Sequence, residues 1–361
     1  MNDPLDALLD RPAFGTHQAE REAALFPLLR DLTEWHRTRC APYARLLAAR
    51  ESLAVPVRSA DLPWIPVGLF KSHELVSVPV DEVFRTLTSS GTTGQAVSRI
   101  ALDRETAMRQ TRALSRIMMT VLGAARLPML VLDSQAVARG QRGFAARTAG
   151  VLGMMTFGRA HTFALRDDLT LDHNALRGFL DRYGGAPFLM FGFTFIAWRH
   201  VLQAIPSGEA DLSNGILVHS GGWKKLEEEA VSNRDFKRIW EERSGLRQVR
   251  NFYGMVEQVG SVFLEGSDGL LYPPGFADVI IRDPVTWEEA PVGQPGVIQV
   301  VSVLPRSYPG HSILTEDLGV VEAVDAGIDG WFGKGFRVLG RAPRAELRGC
   351  SDVVAYGQGA S

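Results

Sequence analysis

The chain has 361 residues, 45% hydrophobic and 22% charged, with a formal net charge of −2. That length can bury a large core and suits two domains, or one large α/β domain with subdomains, while the near-neutral balance gives no electrostatic case for nucleic acid or an anionic membrane. No apolar run approaches the ~18 residues of a membrane span, the start Met-Asn-Asp-Pro-Leu-Asp lacks a signal-peptide core, and Cys40 and Cys350 make neither a disulfide framework nor a zinc-ligand pair, so a cytoplasmic protein without membrane insertion is expected.

Residues 17–50 read as helical, with Leu25, Leu28, Leu29, Leu32 and Trp35 at three- and four-residue steps and a kink near Pro27. Cys40 is then a core residue of that helix. Residues 55–70 are punctuated by proline and read as an extended connector. From 84 to 252 short strands (84–88, 97–102, 129–133, 187–191, 215–219 and 247–252) alternate with amphipathic helices (103–122, 172–183, 193–205 and 224–244). Such alternation argues for a layered α/β domain with a largely parallel sheet. After residue 260 the helical pattern stops, and β runs such as Ala277–Ile281 and Val297–Val301 are divided by Pro-Gly turns. The expected division is a helical segment and connector (1–80), an α/β subdomain (81–260), a β subdomain (261–340) and a mobile tail (341–361).

Ligands of open α/β sheets collect at the carboxyl ends of strands, and four polar, glycine-bearing segments fall where those ends are expected. The first is Thr88, Ser89, Ser90, Gly91, Thr92, Thr93 and Gly94. Its free backbone N–H groups and hydroxyls suit the oxygens of a polyphosphate, although no lysine follows Gly94 as in the common phosphate loop; alone, it also reads as a polar hairpin turn. The others are His219–Lys224 with Gly221 and Gly222, Asn251–Glu257 with Tyr253 and Gly254, and Leu314–Gly319, which contains Asp317 between two β runs.

In order and spacing these segments resemble the adenylate-forming superfamily of acyl- and aryl-acid activating enzymes, over residues from about 60 to 350. The resemblance implies that superfamily's large-domain fold, with ATP and Mg²⁺ as cofactors. It gives 88–94 to the ATP phosphates and the adenine to Gly221–Gly222 and Tyr253–Gly254. Glu257 holds Mg²⁺, Asp317 meets the ribose hydroxyls, and Gly340–Arg341 marks the hinge to a small C-terminal domain. Within the superfamily, Phe191-Gly-Phe-Thr-Phe195, Gly221-Gly-Trp-Lys-Lys225, Phe252-Tyr-Gly-Met-Val-Glu-Gln258 and Arg348-Gly-Cys-Ser-Asp352 are similar to the LuxE-type acyl-protein synthetases of bacterial luminescence fatty-acid reductase complexes. Two departures stand out. Val256 occupies the usual threonine position before the magnesium glutamate, and Ser361 follows Arg341 so soon that most or all of the small domain, with its lysine, is expected to be missing.

A carboxylate is a poor acylating agent until its oxygen becomes part of a stable leaving group, and attack on the α-phosphorus of ATP achieves this as AMP. Cations and N–H donors must then stabilise the phosphoryl charge. Lys224, after the glycine turn at an expected helix start, is the candidate cation, since a phosphate partner would explain a lysine there; with Lys225 it also reads as a surface lysine. Glu257 and Asp317 likewise read, without the motif, as a helix-start carboxylate and a turn residue. Phe191, Phe193 and Phe195 are candidates to line the acid pocket or simply the core. His161, without spaced partners, reads as structural or as a pocket wall.

Cys350 follows Gly349 near Arg341, Arg344 and Arg348, whose field favours the thiolate. Acyl-protein synthetases use a cysteine in such wording to take the acyl group as a thioester. The expected function is therefore ATP-dependent activation of a carboxylic acid, fatty in class, followed by transfer to Cys350 and delivery to a partner such as an acyl reductase, in a chain able to form oligomers. A ligase acylating coenzyme A or a carrier-protein thiol is the alternative, and a nucleotide-binding regulatory subunit the second.

Overall fold

The computed structural model describes residues 3–49, 55–89, 97–139, 146–223 and 230–342. The N-terminal part is helical: α1 (Pro4–Asp10), α2 (Gln18–Arg39) and α3 (Ala41–Ala48). The expected single helix over 17–50 is thus two. α2 runs through Pro27, and the break comes at Cys40, whose extended backbone caps both helices while its side chain is buried. The connector holds a short strand β1 (Ile65–Pro66) and a helical turn α4 (Leu69–Ser72).

Strands β2 (Arg85–Thr88) and β3 (Arg99–Leu102) follow, and here the structure departs from the strand–helix alternation. They pair only with each other, antiparallel, as a two-stranded hairpin apart from the main sheet. Helix α5 (Arg104–Leu122) begins where Asp103 accepts from the Thr106 N–H at 2.8 Å and ends at Gly123. Next come β4 (Leu127–Ser134), α6 (Gln135–Ala138), α7 (Ala146–Met155), β5 (Gly158–Leu165), α8 (His173–Tyr183) and β6 (Phe188–Phe193). β5 escapes the sequence pattern because its residues Arg159 to His161 are exposed at the sheet's rim, so it shows no apolar run. The helix expected over 193–205 is one α turn, α9 (Thr194–Ile196), running into a π-helical stretch over Ala197–Leu202.

The chain continues through β7 (Gly215–Ser220), α10 (Asn233–Ser244) and β8 (Gln248–Tyr253). α10 starts later than the 224 expected: Ser232 caps it through the Asp235 N–H, and residues 224–229 lie outside the described residues. Then β9 (Phe263–Glu265), β10 (Leu271–Tyr272), β11 (Ala277–Arg282), β12 (Gly296–Ser302), β13 (Ser312–Val324) and β14 (Lys334–Arg341) complete the fold.

Among the described residues, β5-β4-β6-β7-β8 form a parallel block, and β9-β10-β14-β13-β12-β11 extend it with antiparallel pairs in one continuous sheet. The parallel strands are near-continuous apolar runs, as burial on both faces requires. Their alternation divides two cores: Met129, Val131, Leu189, Phe191 and Val218 face one side, Leu130, Leu132, Phe188, Met190 and Leu217 the other. β1 joins the far part of the sheet by pairing in parallel with β13, Ile65 opposite Ile313 and Pro66 opposite Leu314. That pairing brings an early connector beside late residues.

Candidate active site

The carboxyl ends of the parallel strands β7 and β8 carry two of the expected segments. Beyond β7 the chain turns at Gly221, whose φ of +86° is a left-handed conformation that a side chain would strain. A Cβ there would also stand 3.3 Å from the Phe193 ring. Below the turn, fully buried His219 shares a 3.0 Å hydrogen bond with Thr194 Oγ1, and burial drops its pKa to about 3, so the ring is neutral. Gly222 is exposed, and Lys224 lies outside the described residues.

At the end of β8, the Tyr253 hydroxyl donates to Asp317 Oδ2 at 2.7 Å. Burial and the neighbouring Asp317 carboxylate push the Tyr253 pKa well up, so this hydroxyl keeps its proton and stays a donor. Asp317 is not between two β runs, as the sequence pattern implied, but inside the long strand β13, opposite Arg341 of β14. A register shift beside it, between Leu318 and Gly319, disturbs the alternation that would have marked one strand. Thr315 Oγ1 accepts from the Asp317 N–H at 3.1 Å and donates to the Ile298 carbonyl at 2.8 Å, fixing the carboxylate's backbone. Arg341 is mostly exposed, with Nε 3.9 Å from Asp317 Oδ1 and Nη1 4.0 Å from Glu316 Oε2.

Glu257, in the short 3₁₀ turn Val256–Gln258, is 6% exposed. Gly310 lets another strand connection press against it: a Cβ at Gly310 would stand 2.7 Å from the Glu257 carbonyl oxygen. Burial raises the Glu257 pKa above its ordinary value, with Glu316 adding to the rise, while the Ser98 hydroxyl and the Lys71 charge oppose it. Ser98 is fully buried and faces this carboxyl, yet its Oγ completes no well-formed hydrogen bond among the described residues. The flanks of the Ser/Thr/Gly segment meet at the same point: the Ser89 N–H donates to the Ser98 carbonyl at 3.1 Å, and the Ser98 N–H to Ser89 Oγ at 2.9 Å. Thr88 ends β2 next to them. Ser90, Gly91, Thr92, Thr93 and Gly94 lie outside the described residues, as does Cys350.

Tyr253, Asp317, Glu257 and the flanks of the 88–94 segment therefore converge, although the last stand on a separate hairpin. Gly254 is exposed beside them. Of the three phenylalanines, Phe193 reaches the Gly221 turn and also lies against α7, where a Cβ on Gly150 would be 3.0 Å from its ring. Phe191 is buried in one core and Phe195 packs against the other. His161 is exposed at the rim, its Nε2 2.9 Å from the Met155 carbonyl oxygen. The sequence reading missed Lys71, Ser98 and Glu316, because only the β1–β13 pairing and the hairpin bring the first two to Glu257.

Among the described residues no group of three or more His, Cys, Asp or Glu side chains could hold a metal. A single buried carboxylate with a serine hydroxyl beside it still fits Mg²⁺, which is commonly held by one or two carboxylates together with substrate phosphates.

Residues 26–357 match the family described as acyl-protein synthetase, LuxE. A long-chain-fatty-acid–luciferin-component ligase of Vibrio harveyi is 23% identical over 309 residues, covering 81% of this chain and 76% of that protein. Its namesake from Aliivibrio fischeri is 21% identical over 280 residues, covering 73% and 70%. Among solved structures, 2-hydroxyisobutyryl-CoA ligase in an open conformation with 2-HIB-AMP and CoA superposes with a TM-score of 0.67 at 18% identity, over 91% of this chain and 76% of that one. In its postadenylation state with 2-HIB-AMP the TM-score is 0.68, at 18% identity over 91% and 69%. The likeness to these structures is one of fold: a mixed α/β fold shared with adenylate-forming ligases. No helix of the described residues is long and apolar enough to cross a membrane.

Proposed function

The chain belongs to the acyl-protein synthetase family LuxE, a family of acyl-activating ligases, and we propose that it activates a fatty acid with ATP as acyl-AMP and then acylates its own Cys350. The observation that carries this reading is the convergence of buried Glu257, the Tyr253–Asp317 pair and the Ser89–Ser98 junction at one edge of the sheet. The fatty class of the acid and the use of ATP are supported by the names of the two ligase relatives and by the adenylate in the structural neighbours.

In the first step a carboxylate oxygen of the acid bonds to the α-phosphorus of ATP, and the bond from that phosphorus to the bridging oxygen breaks. Pyrophosphate leaves with the electron pair. Asp317 accepts the ribose hydroxyls: its Oδ2 is held by Tyr253, which leaves Oδ1 to the ligand. The hydroxyls and backbone of 88–94 meet the phosphates, with the adenine between the Gly221–Gly222 turn and Tyr253–Gly254. Glu257, largely buried, is the carboxylate that would hold Mg²⁺. That ion, when bound, supplies charge neutralisation on the phosphates. Phe193 borders the acid.

In the second step the Cys350 thiolate attacks the acyl carbon, the bond to the phosphate oxygen breaks, and AMP leaves; the thiol proton goes to solvent. The thioester is then delivered to an acceptor protein such as an acyl reductase. Pyrophosphate exchange into ATP, measured across a panel of fatty and aromatic acids, tests the first step. We expect exchange with fatty acids and, with labelled acid, a hydroxylamine-sensitive protein adduct that Cys350→Ser abolishes while exchange persists. No exchange with any acid contradicts the reading, and labelling undiminished in Cys350→Ser removes the cysteine step in favour of a ligase acylating coenzyme A or a carrier thiol.

A further inference from the structure

We propose that Lys71, on the helical turn Leu69–Ser72, supplies the positive charge that stabilises the α-phosphate oxygens during acid activation; this rests on the adenylation reading above. The turn is pinned against the site from three directions. The Val67 N–H donates to the Leu314 carbonyl at 2.8 Å, continuing the β1–β13 pairing toward Thr315, Glu316 and Asp317. Phe70 is 1% exposed and meets Tyr308 edge-on at 6.1 Å between ring centroids, which fixes the rotation of the turn. Gly68 approaches Glu316, whose Oε1 would be 4.0 Å from a Cβ at that position. With Phe70 in the core, the next residue stands on the solvent side of the turn.

Lys71 is exposed there and makes no ion pair within 4.0 Å among the described residues, yet its charge is felt by Glu257. Three carboxylates, those of Glu257, Glu316 and Asp317, line this side of the site, and among the described residues Lys71 and Arg341 are cations near them. A nucleotide triphosphate brings further negative charge into that field even with its metal ion, so a cation that is not already neutralised favours its entry. Arg341 stands on the Asp317 side, close to two of the carboxylates. Lys71 stands on the Glu257 side, where the phosphates belong if Glu257 holds their metal ion. A compact ammonium on a flexible stem can follow phosphoryl oxygens as their charge grows in the transition state. Sequence reading passed over this lysine because its connector carries no motif.

The experiment compares the full-length wild type with Lys71→Met and Lys71→Arg in acid-dependent pyrophosphate exchange, ATP binding, and acylation of the protein by synthetic acyl-AMP. Lys71→Met is expected to lower the exchange kcat about 100-fold or more, the loss typical of removing one transition-state donor, with a smaller change in ATP affinity. Lys71→Arg is expected to keep a substantial part of the rate. Acylation from acyl-AMP should be slowed less than exchange in Lys71→Met, because the acyl carbon and not the phosphorus is then the reacting centre, and both variants should melt with the wild type, which a general structural lesion would not allow. An active wild type with an equally active Lys71→Met overturns the lysine assignment alone. So does a loss shared equally by exchange and acyl-AMP transfer. A wild type inactive in exchange overturns the adenylation reading itself.

Discussion

Glu257 is a carboxyl that the folded chain does not favour as an anion. Its pKa lies above the ordinary 4.5 because burial outweighs the help of Ser98 and Lys71. The sign of the linkage follows: between the two pKa values the folded state binds more protons than the unfolded one, so stability falls as pH rises through that window and stays lower above it. Glu257→Gln is therefore expected to raise the thermal midpoint of the ligand-free protein at neutral pH while abolishing Mg²⁺-dependent pyrophosphate exchange, since a neutral amide is a poor ligand for a hard cation. A variant that melts lower and retains exchange would take Glu257 out of the site. At this scale the sequence was informative where chemistry is local. Tyr253, Gly254 and Glu257 lie within five residues and share one wording. It was silent on Lys71 and Ser98, which owe their places to a long-range strand pair and a hairpin.

Among the elements, α2 is tied to the far part of the sheet by several side chains, and Arg21 makes the most bonds there. Arg21 is fully buried and donates to the carbonyls of Pro273 at 2.6 Å, Pro274 and Ala277 at 3.0 Å, Phe332 at 3.2 Å and Thr16 at 3.3 Å. Asp278 and Asp325 favour its charge while burial lowers its pKa. Arg21→Met strips those carbonyls of their charged donor, although that of Pro274 keeps the Ala277 N–H at 2.9 Å, and a loss of about 3–5 kcal/mol in urea unfolding is expected, the range for breaking a buried charged network. A loss under ~1 kcal/mol would mean that the carbonyls find other partners. Periodicity located α5, α8 and most strands to within a few residues because apolar residues there meet a core on a regular step. It failed at 193–205, where the π-helical turn breaks the step, and at β5, where an exposed rim removes it. It also could not tell a hairpin strand from a strand of the main sheet, since β2 and β3 differ from the others in partner rather than composition.

For the whole molecule, three buried histidines tie stability to acid. His219 and His311 are each lowered to about 3 by burial, and His36, stacked on His311 at 4.9 Å, lies well below its ordinary 6.5. Each is neutral when folded and takes a proton when unfolded, so its contribution is complete above 6.5 and is lost as pH falls below it. Each histidine adds a slope of about 1.4 kcal/mol per pH unit once the unfolded chain is protonated. Urea midpoints should thus fall steadily from pH 6.5 to ~5, and a flat profile would require these rings to be charged in the fold. The strand order that joins the parallel block to β14, β13, β12 and β11 in one sheet was not legible in the sequence, because β9 and β10 are too short to announce themselves.

In the proposed reaction an oxygen of the acid is transferred to phosphorus and then leaves with AMP. Acid carrying heavy oxygen in its carboxylate, incubated with ATP, Mg²⁺ and the full-length protein until the thioester forms, tests this directly by mass spectrometry of the nucleotide products. Heavy oxygen is expected in AMP and none in pyrophosphate. Heavy oxygen in inorganic phosphate with ADP as the nucleotide product, or AMP formed without any label, would contradict it.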